Sequence, residues 1–521
     1  MIKVFEESVY LHELCYCAAG VSSGNNDSYL KYWYEVNVNE ISFDSKSQLE
    51  FVDSKRKFAP CNKGGDFRKW FGNNNWVALW SRSNEFHRNG STYQDKLFIP
   101  GMTWSAITSY QFSSRYYPNG MIFDHASPSL FSKDRKKLNY FIGLMNSKIG
   151  NYIMSIINPT INSGADSLRK IPVVFSDVDN VTRLVEINVA LSKSDWDSFE
   201  TSWDFMLHPL IKYHVSTISE AYLLWDKESA DRFDQLKINE EELNKIFINI
   251  YGLQSELTPE VEDKDITVRK AELVRDVKSF ISYAVGCMFG RYSLDTEGLA
   301  YAGGGWDNNK YETFIPDADD IIPICDEDYF EDDIVSRFIE FVRCVYGDDT
   351  LEENLKFISD ALGGNGNPRD VLRNYFLKDF FKNHCNTYQV TGSGKRPIYW
   401  QFESGKKNGF KALVYIHRYT PDLIAKMRIG YIHPLQSQYR TQIEMLNNQI
   451  EESSSTSGKV KLKKQLKKIT EQAEELGKYE EKIHHWADKM ELMNLDDGVV
   501  VNYNKFQELL VPNIVKKIKG V

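Results

Sequence analysis

Two apolar stripes toward the C-terminal end leave little choice of architecture. Leu462, Leu466, Ile469, Ala473, Leu476 and Ile483 recur at spacings of 4, 3, 4, 3 and 7 residues, and Leu435, Tyr439, Ile443, Leu446 and Ile450 form a second stripe just before them. The first series is a heptad seam. The tract Ser453-Ser454-Ser455-Thr456-Ser457-Gly458 between the stripes favours a turn over a continued helix. The pattern predicts a long antiparallel coiled-coil hairpin within residues 431–521. Its second arm, about 30 residues long, would reach roughly 45 Å at about 1.5 Å per residue. An arm of that length suits a spacer better than a catalytic core.

The other end reads differently. From Val21 to Val173, aromatic and β-branched runs such as YLKYWYEV, WVALW and GMIFD alternate with the punctuation KGGDF, FGNNN and YYPNG, which predicts strands and loops. Apolar residues at 138, 141, 142, 145, 149, 152, 153 and 156 then predict one closing helix, stopped by Asn158-Pro159. Residues 176–310 have mainly helical periodicity and end in the loop Gly303-Gly304-Gly305. Beyond them an acidic run, Pro316 to Asp333, is expected to be a solvated loop ahead of helices and the β-like stretches RPIYWQF and FKALVYI. The expectation is an α+β protein. A β-rich domain closed by a helix (1–175) precedes a helical connector (176–310), a C-terminal α+β domain (311–430), and the hairpin with its tail (431–521).

Composition narrows the function classes. With 521 residues, 42% of them hydrophobic and 13% aromatic, the chain can bury several cores. Seven cysteines, odd in number and scattered without a CxxC pair, fit a reduced cytoplasmic compartment and argue against a structural zinc site. The start, MIKVFEESVYLHEL, carries acid where a signal peptide has a basic segment, and no apolar run is long enough for a membrane span.

Charge is unevenly spread. Residues 55–170 hold 17 Lys and Arg against 6 Asp and Glu, in a chain whose net charge is −10. A basic, aromatic-rich segment of this kind is the footprint of a polyanion-binding surface, because each cation that neutralises a phosphate releases condensed counterions. Nucleic acid is the expected partner. In KGGDFRKWFGNNNW, Lys63, Arg68 and Lys69 would neutralise phosphates beside Trp70, and Asn73, Asn74 or Asn75 could pair with an adenine edge. Ser113, Arg115 and Tyr116 form a second candidate cluster, and Lys133, Arg135, Lys136 and Lys137 suit sequence-independent phosphate contacts ahead of the closing helix.

Catalytic signatures are weak by comparison. Asn158-Pro159-Thr160-Ile161 lacks the second proline and the aromatic of an adenine-methylating loop. Gly303-Gly304-Gly305 lacks dinucleotide-loop spacing, and TGSGKRP fails as a phosphate loop. Asp422, Glu480 and Lys482 have the spacing of an ordinary charged helix rather than a nuclease metal site. No catalytic or metal-ligating residue is expected.

The segments GVSSGNNDSYLKYWYEV, NKGGDFRKWFGNNNWV, GMTWSAITSYQFSSRYYPNGMIFD, FIGLMNSKIGNYIMSIINPTIN and RPIYWQFESGKKNGFKALVYIHRY, in that order, resemble the C-terminal half of the PglX family. These are adenine-specific DNA methyltransferases of BREX phage-defence systems, similar in layout to type IIG restriction-modification enzymes. The resemblance implies DNA target recognition by roughly Val21 to Val173. It also implies that the cofactor loop and the Asn-Pro-Pro-aromatic loop lie in a catalytic half preceding Met1, so that S-adenosylmethionine is expected on a separate catalytic chain. Other defence subunits are expected partners. The alternative is a non-catalytic interaction scaffold with nonspecific DNA affinity.

Overall fold

The computed structural model describes residues 5–6, 8–390 and 392–517. The class is α+β, as the periodicities imply. The chain divides into two compact units. The first comprises the chain up to Tyr34, Val38–Pro209 and Leu223–Glu272; the second comprises Glu35–Asn37, Leu210–Tyr222 and the chain from Leu273 onward. The division in the middle region thus falls at Glu272, while Gly303–Gly305 lies inside the second unit.

Among its described residues the first unit carries ten short strands. They are β1 (Val9–Tyr10), β2 (Cys15–Ala18), β3 (Leu30–Tyr32), β4 (Ala59–Asn62), β5 (Trp76–Ala78), β6 (Gly101–Trp104), β7 (Ser114–Tyr117), β8 (Ile122–Phe123), β9 (Ser129–Ser132) and β10 (Pro172–Val173). Two four-stranded sheets run in the orders β2-β9-β6-β7 and β3-β5-β4-β8, and β1 pairs with β10. Every pairing between these strands is antiparallel except β4 with β8.

The closing helix forms, but as two pieces, α1 (Leu138–Asn146) and α2 (Lys148–Ile157). Ser147 breaks it, because its extended backbone lets the hydroxyl accept from Gly150 N–H and cap α2. A Cβ on Gly150 would meet the Leu144 carbonyl at 2.3 Å, so the kink needs glycine there. Helices α3 (Val178–Asp197) and α4 (Ile218–Tyr251, in this unit from Leu223) complete the core, in which Trp104, Phe141, Leu144, Val181, Val185 and Phe247 are fully buried. Gly143 lets α1 approach α3 closely, since a Cβ there would sit 3.0 Å from Val185.

The second unit holds α5 (Leu273–Met288), α6 (Ile334–Tyr346), α7 (Leu351–Ala361) and a three-stranded antiparallel sheet. Its strands are β11 (Ile322–Pro323), β12 (Tyr399–Glu403) and β13 (Lys411–Tyr415), in the order β11-β13-β12. The two β-like stretches of the sequence are β12 and β13. The acidic run is solvated only in part: Glu327, Asp328 and Glu331 are exposed, but Asp320 and Asp333 are built into this unit. Asp333 is fully buried against Arg373, at 2.9 and 3.0 Å, and Asp320 accepts from the Tyr415 N–H. His384 and His417 are buried, and their imidazoles are pushed down to about 3 by desolvation and by Arg291. His384 Nε2 therefore accepts from the N–H groups of Ile398 and Tyr399, as only a neutral ring can.

The hairpin comprises α8 (His433–Glu452) and α9 (Thr456–Lys489). Its base is locked in place. Tyr439 donates to the Gly409 carbonyl, Tyr479 donates to the Leu509 carbonyl, and Glu475 accepts from Ser404 Oγ and the N–H groups of Lys407 and Gly409. Leu476 and Ile483 of the expected seam are buried, but Ala473 yields its place to the fully buried Gln472, which donates to Asp326 and to the Asn408 carbonyl. No helix among the described residues is long and apolar enough to cross a membrane.

Candidate nucleic-acid interface

The residues expected to meet DNA separate into two groups, both within the first unit. In the loop before β5, Lys69 is buried and its ammonium pairs with Glu240 of α4. Trp70 is buried beside it, and its indole N–H donates to the other oxygen of the same carboxylate at 2.7 Å. The Trp70 backbone lies in the left-handed region, φ 69°, which is strained for a large side chain. It is held by Trp70 N–H to the Ser114 carbonyl (3.0 Å) and Tyr116 N–H to the Trp70 carbonyl (2.8 Å).

Arg68 reaches the fully buried Asp195 of α3 at 3.2 Å and lies over the Trp196 ring. Arg269 grips the same carboxylate. Burial alone would push the Asp195 carboxyl up, but Arg269 and Arg68 outweigh it and hold the group below the usual carboxylate range. Lys63 sits 3.6 Å from the buried Asp124 and over the Trp76 ring.

The polar members of the motif also turn inward. Asn73 and Asn74 are buried, with the Asn73 amide donating to the Asp66 carbonyl, and Asn75 is half-buried. Ser113 is buried and Tyr116 half-buried. Arg115 is 0% exposed, and all three of its guanidinium nitrogens lack a hydrogen-bond partner. Burial, and then the neighbouring Arg68 charge, push it down to about 10.

The expectation that Arg68, Lys69, Trp70, Asn73, Asn74, Ser113 and Arg115 face a duplex is therefore corrected. The charges of Arg68 and Lys69 are matched by carboxylates on two amphipathic helices more than a hundred residues further along the chain. Glu240 and Asp195 are the residues that the sequence reading missed. Their signal was an acidic residue on the apolar face of a helix, where a buried charge needs a partner.

The second group stays outside. Lys133, Arg135 and Lys136 are exposed, and Arg135 and Lys136 have no ion-pair partner among the described residues. Lys133 donates to the Glu13 carbonyl, and Lys137 lies over the Phe175 ring, 3.9 Å from Asp134. Asp134 caps the tight turn Arg135–Lys137 by accepting from Lys136 N–H. The turn leads directly into the positive end of α1. The stretch gathers exposed cations at the surface ahead of α1.

Elsewhere, among the described residues, no group of His, Cys, Asp and Glu could hold a metal ion. Asn158 directs its amide to the Asn162 carbonyl and accepts from the Thr160 hydroxyl, so its side chain closes its own loop.

No family model matches the chain. Two relatives do, and they bear out the resemblance to PglX-type adenine-specific methyltransferases. The chain is 43% identical over 97% of its length to the adenine-specific methyltransferase PglX of Lacticaseibacillus casei (strain Zhang). It is 35% identical over 96% of its length to the adenine-specific methyltransferase BrxX of Escherichia coli O9:H4 (strain HS). In each case it spans 43% of the relative's own length.

Proposed function

From a similarity to adenine-specific methyltransferases that runs over nearly every residue, we propose that this chain is the DNA-recognition and scaffolding portion of an adenine-N6 DNA methyltransferase in a BREX-type defence system. On this reading it corresponds to the C-terminal half of such an enzyme and acts in the cytoplasm. Double-stranded DNA, a catalytic methyltransferase element and further defence subunits are its partners. The exposed turn Lys133–Lys137 positions the β-rich unit on phosphates, while half-buried side chains such as Asn75 and Tyr116 supply base-edge contacts.

S-adenosylmethionine does not fit the residues present. Among the described residues the sheets are antiparallel but for β4 with β8, without the parallel sheet and Gly-rich turn that place a cofactor at a strand end. The methyl donor and the adenine-holding loop are assigned to elements outside these residues, and no side chain of this chain is given a part in methyl transfer itself.

The burial of Lys69 and Trp70, and the pairing of half-buried Arg68 with Asp195, favour a second reading, an interaction scaffold whose DNA affinity is nonspecific. Salt-titrated binding separates the two. A preferred site held about 10³-fold or more tighter than random duplex supports recognition, and equal affinities support the scaffold.

A further inference from the structure

The distal half of the hairpin breaks the rules of a stable helix without a structural return. Lys459, Lys461, Lys463, Lys464, Lys467 and Lys468 fall within ten residues that contain no acid. They occupy the first turns of α9, where the helix dipole is positive and cations are unfavourable. Lys459 with Lys463, Lys463 with Lys467 and Lys464 with Lys468 are like charges four apart, each of which weakens a helix further.

Compensation is slight. Lys468 pairs with Asp326, and Lys467 lies 4.0 Å from Glu471, whereas Lys461, Lys463 and Lys464 are exposed and have no ion-pair partner among the described residues. Leu462, Leu466 and Ile469, the distal part of the seam, are only half-buried, and Val460 is 65% exposed. The base, by contrast, is fixed by Tyr439, Glu475 and Tyr479. A local rule broken on a firmly rooted element marks a functional surface.

We propose that this arm is a second DNA contact, a lysine comb that lies on the phosphate backbone of double-stranded DNA without reading sequence. Lys461, Lys464 and Lys468 share one helix face over about 10 Å at about 1.5 Å per residue. That reach covers roughly three phosphates of one strand at about 3.4 Å each. The contact rests on the DNA-binding reading above.

The test is the salt dependence of duplex binding by the full chain, wild type against Lys461→Gln/Lys464→Gln. Removing two phosphate contacts should lower the slope of log K against log salt by about 2, since each contributes about 0.9. The preference for a specific site over random duplex should be unchanged. The variant should melt at or above the wild-type temperature, because the substitutions relieve repulsion in the first turns of α9, so weaker binding cannot be put down to misfolding. An unchanged slope in a wild type that binds duplex overturns the comb alone, as does a variant that instead loses retention on an acidic protein partner. A wild-type chain with no duplex affinity at any salt overturns both the comb and the DNA reading.

Discussion

Residues 63–76 and 133–137 look alike in the sequence, two Lys- and Arg-rich stretches punctuated by turn residues, and the fold treats them oppositely. The first is drawn inside and neutralised by Glu240, Asp195 and Asp124. The second keeps Arg135 and Lys136 exposed, with no ion-pair partner among the described residues. The difference lies in what the surrounding elements offer. The loop before β5 lies against helix faces that carry buried carboxylates, and a cation there satisfies them. The turn before α1 faces a helix N-terminus, which offers no negative charge. Local positive charge therefore marks a binding surface only when no distant carboxylate claims it.

Substitutions sharpen the contrast, beginning with the largest effect. Lys69→Met strands the Glu240 carboxylate in the interior and should cost about 3 to 5 kcal/mol in chemical denaturation. Adding Glu240→Gln should recover most of that loss, because the amide oxygen still accepts from Trp70. A Lys69→Met variant as stable as wild type would break the claim that this stretch is structural.

Asp195→Asn should cost about 2 kcal/mol at neutral pH by weakening two guanidinium contacts. It also carries a pH signature. The Asp195 carboxyl is held below its unfolded value, so its contribution is complete above about pH 4 and is lost as pH falls through the lower folded value. Acid unfolding of the first unit should be steeper in wild type than in Asp195→Asn below about pH 4. Parallel acid limbs would contradict it.

Arg135→Ala/Lys136→Ala should change stability least, by less than about 0.5 kcal/mol. The same pair should reduce the salt slope of duplex binding by about 2. A large loss of stability with an unchanged slope would reverse the roles of the two stretches.

Much of the architecture was legible because it rests on periodicity. The hairpin, the helical content of residues 138–157, and strands β12 and β13 all follow from spacings within a few turns or residues. Two local details escaped. Ser147 splits the closing helix because a cap competes with helix continuation, and Gln472 enters the hairpin base because Asp326 and the Asn408 carbonyl are there to accept from it. The candidate site was less legible for a more basic reason. Lys69 and Glu240 are 171 residues apart, and Arg68 and Asp195 are 127 apart. No window on the sequence shows that these charges meet. The same blindness applied to the acidic run, where Arg373 takes up Asp333 from 40 residues away.

Hydrogen exchange on the full chain with and without a duplex tests the central claim most directly. The account predicts that amides of residues 133–137 slow when DNA is added, while those of residues 68–74 are already slow in the free protein and stay so. Protection that appears at residues 68–74 on adding DNA, with residues 133–137 unaffected, would contradict it.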